Sequence, residues 1–292
     1  MIIEKQVKQF NIKQIITFGK FFPKHYIMET KILSGEDYTH LIRKIYQGPN
    51  GLTGLRYLDN WVQPLVFYPK TRILKQYSQG PCGYFAVLQS YIRFLLQEGE
   101  NADTSNYDLL AMAIIKIQTL IGGKYCFFVE YNDIEKQSLY VETDSADDAL
   151  IYILDSGILN ESRASMLILL GMLQTCSNND WFWEINPLVS PDKNSSLSLV
   201  FLLLVGTLSV DIISSVESND GFYHKQPHIG LYVKSNNTEV AGFHLNRSAK
   251  IFVVLYQFHL FAVEDVNGVI TKYDTLFEKN NLKQEPRSQF LN

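Results

Sequence analysis

The stretch QYSQGPCGYFAVLQSYIRFLLQEG, residues 76–99, opens as a polar turn and closes as a long apolar run, with Cys82 at the junction between Pro81 and Gly83. Proline suits the first turn of a helix, where its missing N–H costs nothing. Behind it Phe85, Leu88, Ile92, Leu95 and Leu96 recur at helical spacing, which predicts a helix over 83–98. A thiol at a helix N-terminus lies at the positive end of the macrodipole, beside unpaired backbone N–H groups, and this is the setting of a nucleophile. Cys126 and Cys176 instead sit inside apolar periodic segments and read as small buried hydrophobes.

A thiol that attacks a carbonyl needs a donor for the developing oxyanion and a base for its own proton. Gln76 precedes Cys82 by six residues, the interval at which papain-like proteases place a glutamine before their cysteine. Its amide is therefore a candidate donor beside the Cys82 N–H; Gln79, three residues closer, competes for the role. Of the six histidines, His25 and His40 lie in a weakly patterned N-terminal region, His224 and His228 in the polar loop GFYHKQPHIG, and His244 in AGFHLN. Each of these reads as a surface or capping residue. His259 differs, because it follows the strand-like KIFVVLYQF and opens the next strand, where a sheet can hold an imidazole rigidly.

At 292 residues with 46% hydrophobic and 19% charged content, the chain is long enough and apolar enough to bury a full core. A formal charge of −4 argues against general nucleic-acid binding, which needs a net basic face. Three widely spaced cysteines fit a reducing compartment better than a disulfide framework, and no zinc spacing is present. The N-terminal MIIEKQVKQFNIKQIITFGKFF mixes lysine and glutamine into its apolar positions, unlike a secretory signal. The apolar run LSLVFLLLVGTLSV, 197–210, is shorter than the roughly 20 residues of a membrane span and reads as a core helix. A cytoplasmic protein without membrane or nucleic-acid partners is expected.

Residues 1–50 carry an excess of basic side chains with weak periodicity and read as an extension or docking arm, a possible contact to a larger assembly. Residues 51–282 read as a single catalytic-type domain and 283–292 as a polar tail. Helices are expected at 83–98, 106–121, 145–158, 161–176 and 197–216, with Asp103 or Ser105 and Asp144 or Ser145 as N-caps. Strands are expected at 125–131, 249–257, 259–265 and 268–274, the last three as an antiparallel meander closed by Asn267-Gly268. Helices followed by a terminal antiparallel sheet predict an α+β class.

With these residues in view, the chain resembles the MINDY family of deubiquitinases, in the branch whose cysteine box reads GGPCG. Here the box is QGPCGYFAVLQSYIRFLL, and the likeness runs from about Trp61 to about Leu282. ESRASMLILLGML and LVFLLLVGTLSVDIISSV are similar to family helices, PHIGLYV to a D-I-G-[FY] segment, and KIFVVLYQFHLFAV to the segment bearing the family's histidine. The resemblance implies a papain-like fold, Cys82 as nucleophile, Gln76 as oxyanion donor and His259 as base. It also implies no metal or organic cofactor, and ubiquitin or polyubiquitin, linked through ubiquitin's lysine forty-eight, as partner and substrate. Asp274, in ITKYDTLF, falls where the family has a Y-Y-D-G-L-like strand and is the candidate to orient the imidazole. The sequence departs from the family pattern at Gln79, at Tyr256-Gln257-Phe258 and at Leu260. Those departures define the alternative, a catalytically silent ubiquitin-binding or scaffold subunit.

Overall fold

The structure is a computed structural model that describes residues 27–47, 53–99, 103–176, 187–206, 228–234, 242–246, 248–256, 259–276 and 284–286. In chain order the elements are β1 (Glu29–Ser34), α1 (Gly35–Ile45), β2 (Val66–Phe67), β3 (Leu74–Lys75), α2 (Cys82–Gln97), α3 (Asn106–Ile121), β4 (Tyr125–Asn132) and β5 (Gln137–Thr143). There follow α4 (Ala146–Ser156), α5 (Ala164–Cys176), α6 (Leu197–Val205), β6 (Ile229–Lys234), β7 (Gly242–Leu245), β8 (Ile251–Tyr256), β9 (His259–Val266), β10 (Val269–Tyr273) and β11 (Gln284–Pro286). The mixture of helix and sheet agrees with the α+β class.

Helix α2 is the axis of the molecule. From Cys82 to Ile92 every residue of it is buried, because α3 and α6 lie against one side and strands β8 and β9 against the other. Its neighbours begin where short polar side chains cap them. Ser105 Oγ accepts the Asp108 N–H at the start of α3, Ser145 Oγ the Asp148 N–H at the start of α4, and Ser196 Oγ the Leu199 N–H at the start of α6. Of the alternative caps, the two serines win over Asp103 and Asp144 because they stand immediately before the first helical residue.

Three strands form one sheet in the order β1-β5-β4, against which α5 packs. Six form the other, in the order β11-β10-β9-β8-β6-β7. The expected meander is present as β8, β9 and β10, antiparallel and turning at Asn267-Gly268. The sheet is wider than a meander, however, and β6 runs parallel to β8.

Residues expected to form an arm are partly built into the body. Strand β1 pairs antiparallel with β5, from Glu29 opposite Glu142 to Ser34 opposite Gln137. Helix α1 buries Tyr38, Leu41, Ile42 and Ile45, a helix-period stripe that the surrounding charges obscure in the sequence. Residues 1–26 lie outside the described residues. The polar tail likewise begins with a strand, since β11 pairs with β10. The helix expected over 197–216 ends at Val205, where Gly206 takes φ +79° as a left-handed C-cap; residues 207–227 are outside the described set.

One buried network ties α2 to the large sheet. Glu264 on β9 accepts from Arg93 Nε at 2.9 Å, from Gln97 Nε2 at 2.7 Å and from Tyr273 OH at 2.6 Å, and the Arg93 guanidinium lies 4.7 Å from the centre of the Tyr273 ring. Removing the carboxylate strands a half-buried guanidinium and two polar groups. Glu264→Ala is expected to lower the free energy of unfolding by about 2–4 kcal/mol and the melting temperature by roughly 5–10 °C, read by chemical and thermal denaturation.

Candidate active site

Cys82 is the first residue of α2, with Pro81 before it and the Pro81 carbonyl accepting the Phe85 N–H to close the first turn. The helix has no side-chain cap of its own. Ser195 supplies one from outside: its hydroxyl accepts the N–H of Gly83 at 3.1 Å and of Tyr84 at 3.4 Å, while donating to the Gly80 carbonyl at 3.0 Å. Two of the free N–H groups of the helix are thereby occupied. Among the described residues none accepts the Cys82 N–H, which is left for an incoming oxygen.

Gln76 Nε2 donates to Cys82 Sγ at 3.0 Å and to the Ser78 carbonyl at 2.6 Å. The orientation of the amide is settled by the Ser78 carbonyl, which can only accept, and its other end, Gln76 Oε1, takes the Thr275 hydroxyl at 3.0 Å. The Gln76 backbone N–H reaches the Thr275 carbonyl at 2.8 Å as well. Gln79, the competing donor, is exposed, and its carbonyl rather than its side chain is used, accepting from Asn60 Nδ2 at 2.8 Å.

His259 begins β9, opposite Tyr256 of β8. Its Nε2 lies 3.1 Å from Asp274 Oδ1, and the ring is near enough to Cys82 for the two to interact electrostatically. With Nε2 held by the carboxylate, Nδ1 is the nitrogen to serve the thiol. Burial alone pushes the imidazole down, but the bond to Asp274, the nearby Cys82 thiol and the charges of both outweigh it, raising His259 from 6.5 to about 9. Asp274 is buried, which raises a carboxyl; the bond to His259, the Leu276 N–H and the Lys272 ammonium nevertheless hold it below the usual carboxylate range. The structure thus brings Cys82, Gln76, His259 and Asp274 together, from positions up to 198 residues apart in the chain.

Several residues that hold this arrangement carry no signal in the sequence. Thr275 is fully buried and orients Gln76, while its neighbour Asp274 orients His259. Asn60 and Trp61 both donate to the Lys193 carbonyl, at 3.5 and 2.8 Å, clasping the 190–195 loop over the cysteine box. Gln63 accepts the Tyr77 N–H at 2.7 Å and steadies the turn that bears Gln76. The two glycines of the box are required by space. A side chain on Gly80 would lie 2.2 Å from Asn60 Nδ2, and on Gly83 it would lie 2.7 Å from Ser195 Cβ and 2.9 Å from both Leu260 and Val200.

The remaining cysteines behave as core residues, with burial the main cause of thiols pushed up to about 12 at both Cys126 and Cys176. His40 is exposed on α1, and His228 is exposed and stacked on Phe94 with ring centres 4.7 Å apart. His25 and His224 lie outside the described residues, as do Gln257 and Phe258, and the His244 side chain is not described. Among the described residues there is no cluster of three or more metal-ligating side chains, and no helix is long and apolar enough to cross a membrane. Compared with protein-family models, with curated proteins and with solved structures, the chain matches none.

The folded state binds the His259 proton more tightly than the unfolded chain does, so the stabilisation is complete below pH 6.5 and is lost as the pH rises towards 9. Asp274 acts in the opposite sense, and its contribution disappears as the pH falls below the ordinary carboxylate range. Urea denaturation should therefore show falling stability between pH 6.5 and 9. His259→Asn is expected to flatten that segment of the curve, and an unchanged slope would mean that the imidazole is not paired in solution.

Proposed function

We propose that the protein is a papain-like cysteine isopeptidase that hydrolyses the bond between the C-terminal Gly-Gly of ubiquitin and a lysine amine. Its substrate is polyubiquitin, with chains linked through ubiquitin's lysine forty-eight preferred. The observation that carries this reading is the convergence on one sulfur atom of an amide donor, Gln76 Nε2 at 3.0 Å, and of an imidazole whose far nitrogen is held by Asp274. The choice of ubiquitin rests on the resemblance of the cysteine box and of the colinear segments that follow it. A cytoplasmic setting is supported by three cysteines that are all unbridged.

In the reaction His259 Nδ1 takes the thiol proton and Cys82 Sγ attacks the isopeptide carbonyl. Negative charge on the carbonyl oxygen is met by Gln76 Nε2 and the Cys82 N–H. The C–N bond breaks as the imidazolium gives its proton to the departing lysine amine, leaving a thioester. Water, deprotonated by His259, then attacks the thioester and releases the ubiquitin carboxylate and the free thiol. Cys82 is only 8% exposed. Little space therefore surrounds the sulfur, and an acyl group without a side chain, such as the terminal glycine of ubiquitin, suits it best.

A ubiquitin carrying a C-terminal electrophile is expected to form a covalent adduct with the wild-type protein, with Cys126→Ala and with Cys176→Ala, but not with Cys82→Ala. Folded protein that forms no adduct and hydrolyses no polyubiquitin would replace this reading with the silent scaffold. Gln76→Ala should lower kcat by about 10²–10³-fold with little change in KM, the usual effect of losing one oxyanion donor. Thr275→Val should cost about tenfold by releasing the same amide, with Thr275→Ser restoring activity. Gln79→Gly should be close to neutral; if it abolishes activity while Gln76→Ala does not, the donor is residue 79.

A further inference from the structure

Lys272 stands beside the catalytic constellation and has no part in the steps above. On β10 it is opposite Val263 of β9, which by strand alternation puts it on the sheet face shared by Phe261, His259 and Asp274. Its ammonium lies 3.2 Å from Asp274 Oδ2 and 4.0 Å from the centre of the Phe261 ring. The Phe261 ring in turn is 5.8 Å from the His259 ring. The two oxygens of Asp274 are thus divided: Oδ1 takes His259 Nε2 at 3.1 Å and the Leu276 N–H at 3.0 Å, and Oδ2 takes Lys272.

Among the described residues the ionisable groups facing the imidazole are Cys82, from the start of α2, Asp274, beyond β10, and Tyr256, the cross-strand neighbour on β8. Lys272 faces Asp274. Lys75, on β3, is directed to the rings of Tyr77 and Tyr68, and Glu264 and Arg93 are paired with each other, Glu264 being on the opposite face of β9. An unopposed buried carboxylate at 3.1 Å would hold the imidazolium proton tightly. That is favourable for forming the thiolate and unfavourable for the next step, in which the same proton must pass to the leaving amine. A neutral amide in place of Asp274 would avoid the conflict; a cation on the carboxylate lessens it.

We propose that Lys272 is that cation, a positioning residue that fixes Asp274 through Oδ2 and weakens its hold on the His259 proton so that the imidazolium can act as the acid for the departing amine. This rests on the reading of Cys82 and His259 as a catalytic pair. The phenylalanine face under the ammonium makes the position specific for a cation, since the ring quadrupole favours a positive charge there and not a neutral side chain.

The test is the titration of His259 in the intact protein, followed by NMR of histidine-labelled samples with the His259 signal assigned by its loss in His259→Asn. In Lys272→Met the midpoint is expected to rise by about half to one pH unit, and in Lys272→Arg to return to the wild-type value. Lys272→Gln serves if the methionine variant does not fold. The alkaline limb of kcat/KM on polyubiquitin should move up by the same amount, with kcat reduced several-fold and KM unchanged. A midpoint that does not move, or moves equally in Lys272→Arg, overturns the proposal whatever happens to activity. A midpoint that moves as expected in a protein that hydrolyses no ubiquitin substrate upholds the role of Lys272 and overturns the choice of substrate instead.

Discussion

The Glu264 carboxylate is 6% exposed, and its partners Arg93, Gln97 and Tyr273 reach it from two different elements of the fold. Buried ion pairs of this kind add little net stability over an apolar alternative, but they penalise every arrangement in which the partners fail to meet. Here the arrangement at stake is the register of α2 along β9. Arg93 lies 11 residues beyond Cys82 and Glu264 lies five beyond His259. At helical and strand rises both intervals amount to about 16–17 Å. Helix and strand therefore run side by side over equal lengths, pinned at one end by Glu264 and packed at the other where Leu260 meets Gly83. Slippage of one strand residue, about 3.4 Å, would turn Glu264 to the other face and take His259 out of reach of the sulfur.

With the register set, the fine geometry depends on backbone groups that would otherwise be orphans. The first turn of α2 starts with a proline and has no cap of its own, yet it carries the sulfur, so its N–H groups need acceptors that leave one donor free. Ser195, from the loop before α6, takes the Gly83 and Tyr84 N–H groups and leaves that of Cys82. At the opposite side of the thiol, the dipeptide Asp274-Thr275 makes two assignments at once: the carboxylate holds the His259 imidazole and the hydroxyl meets the Gln76 amide. The positions of Gln76 and His259 are therefore not independent, and any displacement of the chain after β10 moves both.

How much of this was legible in the sequence varies with the range of the forces involved. Helices α2 and α3 are readable to within a residue because their apolar spacing and their start signals are local, and the β8-β9-β10 meander is readable from its Asn-Gly turn. Helix α1 is hidden because Glu36, Asp37, Arg43 and Lys44 surround a stripe of only four buried side chains. Strand β5 is hidden for a different reason: its neighbours β1 and β4 are what make QSLYVET a central strand, and nothing in those seven residues identifies them. The parallel pairing of β6 with β8 goes with the intervening β7, which runs back antiparallel to β6, and it has no signature in either segment.

The sequence by itself determined the chemistry available to the site, since the proline before Cys82, the spacing to Gln76 and the position of His259 at a strand start are properties of the chain. It also determined the small residues at 80 and 83 that the packing around Cys82 demands. Only the tertiary structure decided which glutamine faces the sulfur, that Asp274 is buried against the imidazole rather than solvated, and that Thr275, Ser195 and Lys272 belong to the same neighbourhood. The physical reason is that hydrogen-bond geometry and the effective strength of a charge depend on burial and on atoms brought from distant parts of the chain. Spacing along the sequence reports only what a single element can place by itself.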